Sequence, residues 1–236
     1  MFVVAFGVVL IPVAAQPRYP QVEIKYSAVF DRNCAGWVRA EINQELIAAT
    51  LAKVPVFQRQ WDKDAPNLLG TTVKEIGRPF RAREVAVSLT VCPIMSQAVP
   101  LILTVQRFIE PSDGSSPQPL FQFSAALFHE LLRIYIGDSF DFREREGRSG
   151  FDRSDRYRLD EAPLMQKYQA ELPAVKSTMY VKAIEKLVYL KLGWTKELDA
   201  IIAFESTRPN QKRAWEIVNH IEGHLPFVAE LKHYYR

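Results

Sequence analysis

The sequence predicts an α+β fold, with a few strands in its first half and a mainly helical second half. Two patterns carry that expectation. Glu84–Cys92 (EVAVSLTVC) alternates apolar and polar side chains with the period of a half-buried strand, and Val22–Phe30 (VEIKYSAVF) does the same near the start. From Leu120 onward the apolar residues recur every three or four positions instead, at Leu120, Phe123, Leu127, Leu131 and Ile134. A chain of 236 residues with 48% hydrophobic content is long enough for one sizeable core. The formal charge of +3 is slight and its basic residues are scattered among acidic ones, so no nucleic-acid partner is expected.

Taken in order, residues 2–15 (FVVAFGVVLIPVAA) form a short apolar run ending in small residues, which reads as a secretory signal cleaved after Ala15. The n-region carries no Lys or Arg, and the competing reading is a buried first strand. The run is shorter than the roughly 20 residues that span a bilayer, and Pro12 interrupts it. The expected organisation is therefore a signal over 1–15 and a single domain over 16–236, strand-containing to 119 and helical from 120. Such a protein is secreted or periplasmic, with no stable membrane anchor after cleavage. Cys34 and Cys92 are the only cysteines. In an exported chain they are expected to form one disulfide, the alternative being two buried thiols.

Val22–Phe30 is the first expected strand. Trp37–Val54 has helical periodicity, with Asp31 and Asn33 as capping candidates and Pro55 as its end. Phe57–Ile76 carries a second helix or two, stopped by Gly77 and Pro79. Glu84–Cys92 and Val99–Ile109 are two strands joined by Pro93–Ala98, about the length of a hairpin or short irregular connection, so a small mixed or antiparallel sheet is expected. Pro111–Pro119 is a turn-rich loop leading into a helix over Phe121–Gly137. Asp138–Glu161 is charged and aromatic, a surface loop whose length also suits a flap over a cleft. Further helices are expected over Ser177–Gly193, capped by Ser177 or Thr178, then Thr195–Glu205, Asn210–Glu222 and Leu225–Tyr235.

Within Phe121–Gly137, His129 and Glu130 stand among Ala126, Leu127, Phe128, Leu131 and Leu132. An imidazole and a carboxylate on so apolar a helix are costly unless both find partners. The stretch resembles the active-site helix of the zincin metallopeptidases, H-E-x-x-H in an apolar frame, in which two His four residues apart hold Zn²⁺ and the Glu takes a proton from metal-bound water. Here Arg133 stands where the second His belongs, and a guanidinium cannot ligate a metal. A small sheet running into that helix, with helices after it, agrees with the same resemblance over about Glu84–Gly193. The resemblance implies Glu130 as general base, His129 as a metal ligand and, in the glutamate-type branch, a Glu on a later helix. Glu185 is the best match for that Glu. It also implies a peptide or protein partner paired along a strand of the sheet.

Each of these residues has a plainer reading. Arg133 bonds Glu130 one turn back on the same face, and Glu185 is a surface Glu paired with Lys182 or Tyr189. His220 and His224 are four apart, but Gly223 and Pro226 end the helix there. Three functions follow. The first is an exported zincin-like protein, metal-deficient because Arg133 sits in the zinc's place, with a binding or regulatory role. The second is an active zinc peptidase using His129, Glu130, Glu185 and a further ligand. The third is an unrelated exported helical protein. The first requires Arg133 to meet Glu130, Glu185 or both.

Overall fold

The computed structural model describes residues 19–38, 43–92, 96–111, 114–137 and 162–234. The expected signal over 1–15 and the segment Asp138–Glu161 lie outside the described residues. The chain forms a mainly helical α/β structure around a three-stranded sheet. Its strands are β1 (Gln21–Tyr26), β2 (Glu84–Thr90) and β3 (Ile102–Thr104), in that spatial order. Both pairings are parallel, with Val22 opposite Val85 and Leu89 opposite Leu103. The expectation of a mixed or antiparallel sheet is thus corrected. The reason lies in the connections: α1 (Ala28–Val38) and α2 (Gln44–Ile76) carry the chain back from the end of β1 to the start of β2. Between β2 and β3 the chain doubles back on itself, Gln97 exchanging two backbone hydrogen bonds of 2.9 Å with Ile102, so β3 runs in the same sense as β2. Val99–Ile109 is only in part a strand, since Gln106–Ile109 forms the short helix α3.

Helix α2 departs most from the reading of its sequence. Asp31 and Asn33 belong to α1, and the N-cap of α2 is Asn43, whose Oδ1 accepts from the backbone N–H groups of Glu45 (2.8 Å) and Leu46 (3.2 Å). The helix then runs unbroken through Pro55 and Pro66 to Ile76. Each proline removes a helical hydrogen bond, but both face outward while Phe57, Trp61, Leu68, Leu69 and Val73 are buried. Packing of that stripe outweighs the two breaks. Gly77, at φ 86°, closes the helix in the left-handed region by donating to the carbonyl of Val73.

Side chains tie this helix to the sheet. Gln58 accepts from Ile24 N–H at 2.9 Å and donates to the Val22 carbonyl at 3.0 Å. Phe57 stacks on Phe123 with ring centroids 4.3 Å apart. Asp31, buried on α1, accepts from the Thr90 hydroxyl and from Val91 N–H at the end of β2. Beside it Cys34 and Cys92 form a disulfide with a Cα–Cα distance of 6.2 Å.

The helical half contains α4 (Leu120–Gly137), α5 (Pro163–Lys167), α6 (Pro173–Lys191), α7 (Thr195–Glu205), α8 (Pro209–Glu216) continued by a π-helical stretch over Ile217–Ile221, and α9 (Leu225–Tyr234). Helix α6 starts at Pro173, before the expected Ser177 or Thr178 cap, because proline suits a first turn whose N–H groups have no helical partner. Helices α4 and α6 bury residues on nearly every side, His129 and Glu130 on the first and Lys182 and Glu185 on the second. No helix among the described residues is long and apolar enough to cross a membrane.

Candidate functional site

Helices α4, α6 and α7 converge on a buried polar cluster. His129, midway along α4, places Nδ1 2.8 Å from Oε1 of Glu185 on α6. One turn earlier on α6 stands Lys182, whose side chain has no accessible surface. Its ammonium lies 2.8 Å from Glu185 Oε2, 2.6 Å from Glu205 Oε2 at the end of α7, and 3.0 Å from His129 Nδ1. The indole N–H of Trp215, on α8, donates to the same Glu205 oxygen at 2.7 Å, and the ammonium lies 5.1 Å from the centre of the indole system. The α4 and α6 partners follow from spacing: on α6, Glu185 lies three positions after Lys182, so both point at one stretch of α4.

The charges are mutually dependent. Burial works most strongly against the Lys182 charge, but the pull of Glu185 and Glu205 and their hydrogen bonds prevail and raise its pKa. Glu205 responds in the opposite sense. Burial would raise its pKa, yet Lys182 and His129, with the bonds from Lys182 and Trp215, hold it down at about 2. An ammonium only donates, so His129 Nδ1 either accepts from Lys182 or, when protonated, donates to Glu185. The tautomer decides which of these two short contacts is a hydrogen bond.

His129, Glu185 and Glu205 are also the types of donor that hold zinc, and their ligand atoms lie within 4.8 Å of one another. The donor set fits a metal, but the position between the donors does not. Lys182 Nζ is within 3.0 Å of all three side chains, and a second cation there would lie against a fixed ammonium with little water to screen them. A metal therefore does not fit while Lys182 keeps this position.

The other residues expected at the site are placed as follows. Glu130 is buried on α4 and accepts from Arg133 Nη1 at 2.9 Å. The Arg133 side chain is partly exposed, and the cation that meets Glu185 is Lys182. His220 is exposed and His224 half-buried; the π-helical stretch and Gly223, at φ 81°, break the helix between them. Burial and nearby Lys186 lower the pKa of His224.

Lys182, Glu205 and Trp215 were not singled out by sequence reasoning as site residues. For Lys182 a signal existed, a lysine inside the apolar run Tyr180–Ile184 and three residues before Glu185. Glu205 gave none, since it closes an ordinary amphipathic helix. Compared with protein-family profiles, with curated proteins and with solved structures, the chain matches none of them.

Proposed function

We propose that this chain is an exported, zincin-like protein related to zinc metallopeptidases, non-catalytic, with a binding or regulatory role. One observation carries the reading: the Lys182 ammonium stands among His129, Glu185 and Glu205, where a metal bound by those three donors would stand. The apolar frame around His129 and Glu130 and the meeting of His129 with Glu185 support it further. In this reading the cation that replaces zinc is Lys182, with Arg133 neutralising Glu130 beside it. A His129 with no carboxylate nearby except Glu130 would have favoured an unrelated helical protein, and Glu185 is at 2.8 Å.

A second reading, an active zinc peptidase, draws on Glu205 as the further ligand beside His129 and Glu185. It requires Lys182 to leave the cluster. Metal analysis of the purified mature chain separates the two. The unmodified protein and an Arg133→His variant are expected to hold no stoichiometric zinc, whereas Lys182→Ala takes up about one ion per chain. Stoichiometric zinc in the unmodified protein would favour the peptidase, and hydrolysis of peptides would be assayed next. If all three forms ignore zinc, the relation to zincins loses its main support.

A further inference from the structure

Next to the lysine cluster, α2, α4 and the corner between α6 and α7 enclose a cleft of about 320 Å³, a size that suits a small organic molecule. Its walls are aromatic and acidic. Phe121 comes from α4, Tyr189 from α6, Trp194 from the corner, Asp64 from α2 and Glu197 from the first turn of α7. Gln60 donates to Asp64 Oδ2 at 2.7 Å and so fixes one of the two carboxylates. Lys63 also belongs to the lining, on an exposed position of α2.

Two independent observations point to a ligand. Ser124 lines the cleft, is 2% exposed, and its hydroxyl has no hydrogen-bond partner. A buried hydroxyl left unpaired is unfavourable, and a donor entering the cleft would satisfy it. The second is the field in the cleft. The pKa of Tyr189 is raised well above its ordinary value, first by burial and then by Glu185, Asp64, Glu205 and Glu197, carboxylates on α6, α2 and α7. Glu185 and Glu205 are paired with Lys182 and do not line the cleft, so the charge that a ligand meets there is that of Asp64 and Glu197. It repels an anion and draws a cation, and the faces of Trp194, Tyr189 and Phe121 attract the same sign.

We propose that this cleft binds a primary organic ammonium ion with an apolar tail, its N–H groups shared among Asp64, Glu197 and the Ser124 hydroxyl and its tail against Phe121 and Trp194. A primary ammonium offers three donors, as these three acceptors require. No residue of the lysine cluster contacts such a ligand, so the inference does not depend on the zincin-like reading.

The test is calorimetric titration of the full chain with 2-phenylethylamine, 2-phenylethanol and 3-phenylpropionate at pH 7. The amine is expected to bind saturably, about tenfold or more tightly than the alcohol, and the carboxylate not at all. Asp64→Asn and Glu197→Gln are each expected to weaken the amine about tenfold while leaving the alcohol unchanged. Circular dichroism checks that each variant is folded. Glu197 is only partly buried, so its variant remains informative if the Asp64 variant does not fold. Equal affinity for amine and alcohol, preference for the carboxylate, absence of saturable binding, or a folded Glu197→Gln chain that binds the amine like the parent would each overturn the proposal.

Discussion

Lys182 loses all its water and keeps its charge. A buried ammonium survives only where opposite charges and acceptors replace its hydration, and here two carboxylates do so from different helices. The dependence on pH follows from the shifts. Glu205 is held at about 2, below its ordinary 4.5. Its contribution is therefore present above pH 4.5 and lost as the pH falls from there towards 2. Lys182 is raised above 10.5, so its contribution is full below 10.5 and lost only as the pH climbs through the folded value. For Glu205 the shift corresponds to at most on the order of 3 kcal/mol. Urea unfolding across pH 2–5 is expected to show this loss in the unmodified chain and a flatter profile in Glu205→Gln. At this scale the sequence was half legible. The apolar frame around His129 predicted that it needs a partner without naming one. For Glu185 the spacing offered Lys182, which it does meet at 2.8 Å, but offered it as a pair on the surface rather than in the core. Glu205 arrives from a separate helix by tertiary packing alone.

Among the elements, α2 shows how packing overrides local preference. The sequence reading ended one helix at Pro55 and began another at Phe57, where the structure has a single helix through both Pro55 and Pro66. Pro66 is exposed, so removing it perturbs little packing. Pro66→Ala restores a backbone donor in mid-helix and is expected to stabilise the protein by about 1 kcal/mol or more. Guanidinium unfolding with an unchanged slope would read that gain directly, and a loss of stability would mean that the proline is needed for the path of the helix. Helix α4 was legible almost to the residue because its apolar period has no internal break. Strand direction was not. Alternation reports which face is buried and is the same for either polarity, so the parallel sheet followed only from where the chain returns.

For the molecule as a whole, the Cys34–Cys92 bridge joins α1 to the chain just after β2 across a sequence separation of 58 residues. In the chain-entropy account, closing a loop of that length restrains the unfolded state by about 4 kcal/mol. Thermal unfolding with and without reductant is expected to show a loss of that order, and a double Cys→Ser variant should behave like the reduced protein. The pairing was legible because only two cysteines exist. The margins of the sheet have a further consequence. On β1 the odd-numbered residues face β2, as the bond from Gln21 N–H to Arg83 shows, so Val22 and Ile24 turn their backbone groups outward, where Gln58 meets both. On β3 the outward groups of Ile102 meet Gln97, and Thr104 N–H meets the Ser96 hydroxyl. The protein's own chain thus supplies partners that a foreign strand would otherwise provide. A sheet whose edges are occupied at these positions is a poorer template for edge-to-edge aggregation or for growth into fibrils than one with bare edges.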